Sequence, residues 1–314
     1  MKKLSKKDFN EVKTWIYRNA RPLELAMWQN IFENGKQDAV LAALKFYQND
    51  DGGFGNALEP DSWNPNSSPY ATLYAINIIK NLNFIDLRHP ILRGIIRFLE
   101  NDSFCLDSGW LFNTSSNDKY AHAPWWGYDE QAIQVEHIGV TAEIAGFILK
   151  FIDNGSELYK KALRISNTFF EKLELQDHFD EMGINGYCVL LDSIQQAGLT
   201  HKYDYESLLK TIKRFVFDSI EKDTTKWVDY VAKPSNYIVS PQSIFYEDNK
   251  EIVSKELDYL IETKPADGVW NITWSWFDNN EKYAKEFAIS ENWWKGVKVL
   301  ETIQFLKNFD RLEL

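Results

Sequence analysis

Glu59 and Asp61 flank Pro60, so two carboxylates stand two residues apart on a locally stiff backbone. If both point into one cleft, repulsion and burial raise one pKa and leave an acid beside a base. A competing structural reading has Asp61 capping the approaching helix and Glu59 paired with a basic group. His122 is the third candidate for acid or base work. It shares a loop with Trp125, Trp126 and Tyr128, and a lone loop histidine is more often a hydrogen-bonded surface residue. A second aromatic stretch carries Trp274, Trp276 and Trp293. An aromatic-lined concavity holds a cation or an apolar chain, or it stacks on sugar rings. The catalytic candidates are therefore Glu59, Asp61 and His122. The substrate-binding candidates are Trp125, Trp126, Tyr128, Trp274, Trp276 and Trp293.

Other polar positions carry less chemistry. Asp50 and Asp51 sit within a glycine turn and read as partners for its backbone N–H groups. Glu136 and His137 stand at a helix start, and Glu143 falls six residues later on an apolar helix, facing either a cavity or solvent beside Lys150. Cys105 and Cys188 form no paired framework, which suits a reducing compartment and a cytoplasmic location. Neither has a positioned histidine partner, so no metal is assigned and the cofactor stays open. There is no glycine-rich phosphate loop and no nucleophile elbow. A net charge of −11 argues against nucleic-acid backbones as partners. No apolar stretch follows the basic N-terminus, and none reaches the length of a membrane span. The expected partner is a small apolar or sugar-like ligand.

The elements that must position these groups read as helices throughout. An apolar run at Val40, Leu41, Leu44, Phe46 and Tyr47 leads into Gln48-Asn49-Asp50-Asp51-Gly52-Gly53-Phe54-Gly55. Gly52 and Gly53 stop that helix, and Phe54 folds back as an apolar plug. Ser67 or Ser68 caps the next helix, with Pro69 at its first position and its end near Leu82. Weaker acidic-glycine-aromatic turns follow at Asp107-Ser108-Gly109-Trp110 and Asp267-Gly268-Val269-Trp270, with Gly186-Tyr187 at a helix start in a turn-like place. Turn aromatics thus fall at 54, 110, 187, 227 and 270, a spacing near that of repeated helical hairpins. No segment shows strand alternation and no linker marks a boundary. The expectation is one all-α domain over residues 1–314, built from five or six hairpins, with loops 56–69, 111–135, 227–243 and 271–292 gathered over a cavity mouth.

The octet at 48–55, followed by Tyr70-Ala71-Thr72-Leu73-Tyr74-Ala75, resembles the repeat of the terpenoid cyclase and protein prenyltransferase β-subunit superfamily. That resemblance implies an α/α toroid with inner helices around a blunt cavity. It also implies an isoprenoid or similar apolar substrate, with Glu59 or Asp61 as proton donor or base. The chain departs from the family where catalysis is concerned. It has no Asp-x-Asp-Asp protonation motif and no evident zinc ligand set. Two further readings stay open: a carbohydrate-active lyase or hydrolase on a six-hairpin toroid, and a non-enzymatic binding scaffold.

Overall fold

Helix signals in this chain are mostly local and strong. Ser5, Ser68 and Ser156 each accept a backbone N–H of the first turn they precede, and prolines 22, 69 and 90 occupy first helical positions where no N–H is needed. The computed structural model describes residues 1–131, 138–176, 178–277 and 282–314. Eleven α-helices lie among them: α1 (Lys6–Asn19), α2 (Pro22–Phe32), α3 (Gln37–Lys45), α4 (Pro69–Asn81), α5 (Pro90–Leu99), α6 (Ile138–Phe151), α7 (Glu157–Leu175), α8 (Glu181–Gln196), α9 (Tyr205–Ser219), α10 (Tyr246–Glu262) and α11 (Ala284–Asn308). A two-residue antiparallel ribbon, β1 (Cys105–Leu106) with β2 (Gly109–Trp110), is the one sheet among the described residues. The chain is thus mostly helical. No helix among the described residues is long and apolar enough to cross a membrane.

The chain divides into two compact units. One comprises Met1–Phe46 with Ser219–Leu314, and the other Tyr47–Asp218. In the first unit α2 packs on α1, α3 and α11 around Trp28, Ile16, Leu23 and Leu300. Leu4 pairs in parallel with Leu312, and the Arg311 guanidinium donates to Asp258 and to the carbonyl of Lys2.

In the second unit α6 is the central rod. Every residue from Gly139 to Leu149 is buried, and Glu143 is the one charged side chain in that span. It packs against α4, α7, α8 and the β2 strand. The approach to α8 is closest where two glycines face one another: a Cβ on Gly186 would lie 2.8 Å from the Gly139 Cα. Gly186 and Tyr187 are therefore interior residues of α8, which begins at Glu181, and not a turn. The glycine is there for helix contact, a need that turn chemistry does not reveal.

Two other expectations shift. Helix α11 begins at Ala284, inside the loop expected at 271–292, so the last part of that segment is helical and Trp293 and Trp294 stand within the helix. Phe54, Trp110, Trp227 and Trp270 are all buried, as apolar plugs should be. Glu136 and His137 lie outside the described residues, as does part of the loop expected at 271–292.

Candidate functional site

The 48–55 octet folds as a knot docked on α5. Gly52 takes φ +96° and its Cα faces Gly94, where neither residue has room for a Cβ. The Gln48 amide donates to the carbonyls of Gly52 (2.9 Å) and Ile91 (3.0 Å), and Arg97 donates to those of Asp50 and Asp51. The Asp51 carboxylate accepts the Gly53 N–H at 2.9 Å and the Ser67 hydroxyl at 2.7 Å. Asp51 is thus a turn-holding group. Ser68, not Asp61, caps α4, and Phe54 donates its N–H to Thr72 one turn further on.

From this knot the chain runs through Asn56 and Ala57, both left-handed (φ +57°), into the carboxylate loop. That loop is laid against the 111–128 segment by backbone pairing. Trp63 donates to Ala121, and Ala123 donates to Asp61, each at 2.9 Å. A chain of carboxamides completes the junction. Asn64 donates to Ser116 (2.7 Å) and to Asn117 Oδ1 (2.8 Å) and accepts from Asn66, while Asn117 donates to the Trp126 carbonyl. Asn113 donates to the carbonyls of Trp125 and Gly127. Buried amides with this many partners act chiefly as scaffold.

Between the two segments lies a concavity lined by Gly55, Leu58, Glu59, Ser62, Asn64, Asn66, Ser68, Tyr70, Ala71, Phe112, Asn117 and Trp126. Its free space admits roughly one water molecule. The aromatic wall is tightly packed: Phe112 stacks on Trp126 at 5.0 Å, and Tyr70 meets it at 4.4 Å. Glu59 is the carboxylate in the wall, and among the described residues no Lys or Arg lines the concavity.

The structure gathers Glu59, Asp61, His122, Trp125, Trp126 and Tyr128 into one unit, but in different settings. Glu59 and Trp126 line the concavity. Asp61 is 1% exposed and His122 6%, and the His122 Nδ1 lies 2.7 Å from the Tyr120 carbonyl. His122 is therefore a buried residue held by backbone. Trp125 is exposed, and Tyr128 donates its N–H to Asp118.

Trp274, Trp276 and Trp293 belong to the other unit. Trp274 meets Trp294 edge-on at 5.3 Å, and the Lys298 ammonium lies 5.9 and 5.8 Å from their ring centres. Trp276 is buried beside Phe287, and the Arg21 guanidinium lies 5.4 Å from the Trp293 ring. Among the described residues no group of three or more His, Cys, Asp or Glu could hold a metal ion.

Two buried acids stand apart from these candidates. Glu143 accepts from Asn77 of α4 (2.9 Å) and from Asn185 of α8 (3.3 Å), so one carboxylate ties three helices together. Burial pushes its pKa up, against the opposing pull of the two amides and Lys80; burial pushes the Lys80 pKa down. Glu143→Ala leaves two amides without their acceptor and a void beside α6. We expect about 2 kcal/mol of destabilisation, against under about 1 kcal/mol for Glu143→Gln, measured by urea unfolding. Equal losses in the two variants would mean the hydrogen bonds to Asn77 and Asn185 contribute nothing.

The second acid, Glu256 of α10, was not a sequence candidate. It is 1% exposed and accepts both the Ser235 N–H (2.7 Å) and the Ser235 hydroxyl (2.5 Å). The available signal was its place on the same helical stripe as Val253, Leu257 and Leu260. Comparison of the chain with protein-family models, with curated proteins and with solved structures returns no match, so its functional reading rests on these side chains.

Proposed function

We propose that the concavity between the 55–71 and 112–126 segments recognises a neutral, hydroxyl-rich ligand of the carbohydrate type, with Glu59 as the acid or base beside it. The observation that carries this reading is the lining itself. Serine hydroxyls, carboxamides and one carboxylate face a Tyr–Phe–Trp wall, with no Lys or Arg to neutralise a diphosphate. A phosphate-bearing ligand would meet the Glu59 carboxylate with no cation among these residues to offset it. The water-sized space fits a single hydroxyl entering from a ring that rests across the mouth. Asp61, whose carbonyl accepts the Ala123 N–H, and His122, whose ring is held at the Tyr120 carbonyl, fix the junction that carries Glu59.

The α/α toroid is part of the same proposal. The mostly helical chain is consistent with it.

Isothermal titration with methyl glycosides and short oligosaccharides tests the ligand class, and release of reducing ends from the oligosaccharides tests turnover. Glu59→Gln should cut turnover about a hundredfold while sugar binding persists, because the amide keeps the shape and loses the transferable proton. Failure of every sugar to bind would overturn the reading.

A second reading is an isoprenoid ligand, and one observation favours it. The Trp274 and Trp294 rings already hold a cation, the Lys298 ammonium, as rings that stabilise a carbocation would. Binding of farnesyl diphosphate in the absence of sugar binding would select it.

A further inference from the structure

The Trp126 indole is 96% buried and forms part of the concavity wall, yet its Nε1–H has no hydrogen-bond partner among the described residues. A buried N–H left unpaired costs free energy, and such groups in folded proteins are commonly answered by a water or a ligand. The neighbouring polar groups are otherwise engaged. Asn64 uses both amide hydrogens and its oxygen within the junction, and Asn117 donates to the Trp126 carbonyl. Asn113 hangs from the carbonyls on either side of Trp126, and its own Oδ1 is likewise buried and without a partner among the described residues. The loop that carries Trp126 thus holds one unanswered donor and one unanswered acceptor. The ring itself is unsuited to sugar stacking, because Phe112 already stacks on it and Tyr70 packs at 4.4 Å.

We infer that Trp126 is the specificity-determining donor of this site, giving its indole N–H to a neutral hydroxyl or ether oxygen of the ligand. This rests on the carbohydrate reading above and sharpens it: Trp126 recognises by its edge, not by its face. A hydroxyl is the ligand group that both accepts from an indole and retains a proton to donate onward.

The test uses the full chain labelled with 15N. Its twelve tryptophans give indole N–H signals, and Trp126→Phe identifies the one at position 126. On titration with methyl β-D-glucopyranoside and with cellobiose, that signal should move downfield together with the backbone amides of Gly55 and Asn66. Replacing Trp126 by benzothienylalanine keeps the bicycle and exchanges N–H for sulfur. It should weaken sugar binding about tenfold with an unchanged melting temperature. If the Gly55 and Asn66 amides shift while the Trp126 indole does not, the donor role fails and the carbohydrate reading stands. If neither responds to any sugar, both fall. An indole that reports only a trapped water, the same with and without sugar, also overturns the donor role.

Discussion

Gly52→Ala should destabilise the Tyr47–Asp218 unit by about 4 kcal/mol, from left-handed backbone strain together with a steric clash. Gly52 sits at φ +96°, and a Cβ built there falls inside the van der Waals envelope of the Gly94 carbonyl on α5. Relief by moving the turn outward would break the Gln48 bonds to Gly52 and Ile91 and the Arg97 bonds to Asp50 and Asp51. Gly268 is the internal control. Its φ of +98° is nearly the same, but nothing lies within 4 Å of its added Cβ. Gly268→Ala therefore isolates the backbone term, about 1 kcal/mol. Urea unfolding gives the two losses, and hydrogen exchange locates them. Peptides spanning 47–56 and 90–99 should lose protection in Gly52→Ala and keep it in Gly268→Ala. Similar losses in the two variants would show that contact with α5 has no part in the role of Gly52.

That contrast marks what a reader of the chain can and cannot see. The octet is legible because its chemistry is local: Gly52 needs its φ, Asp51 answers the N–H two residues on, and Ser68 with Pro69 opens α4. The reason for close packing at Gly52 is not legible, because the partner, Gly94, lies far along the chain on α5. Gly186 misleads for the same cause. In sequence it looks like a turn, whereas in the fold it lets α8 approach Gly139. Helix α11 starts at Ala284, inside the segment read as the 271–292 loop, because its apolar stripe is broken by charged residues such as Lys285 and Glu286. In the candidate site, Glu59 is singled out by its spacing from Asp61 across Pro60, and Trp126 by its place in an aromatic loop. The distinction between Trp126 in the wall and Trp125 in solvent depends on Asn113 and Asn117, whose amides grip the backbone around them. The burial of Glu256 was hidden because it is completed by Ser235, twenty-one residues earlier in the chain.

Glu256 should make the Met1–Phe46 with Ser219–Leu314 unit lose stability as pH rises, the reverse of the usual carboxylate. Burial pushes its pKa up from 4.5 to about 7, with the Ser235 bonds and then Lys233 and Lys298 pulling the other way. Between those two values the folded chain holds a proton that the unfolded chain has released. The folded state therefore binds more protons, and unfolding free energy falls with pH. The contribution is fully present below about pH 4.5 and lost by pH 7, amounting to about 3 kcal/mol across the window. Because the side chain is 1% exposed, solvent screening reduces this little. Glu256→Gln keeps an acceptor for the Ser235 N–H and offers an amide hydrogen to its hydroxyl, which mimics the protonated acid. The variant should match the parent near pH 4.5 and exceed it by about 3 kcal/mol at pH 8, measured by urea unfolding followed through exchange of α10 amides. A parent and variant whose stabilities run parallel from pH 4.5 to 8 would mean that Glu256 stays ionised in the fold. Its bonds to Ser235 would then be those of a carboxylate matched to two donors, which outweigh its desolvation.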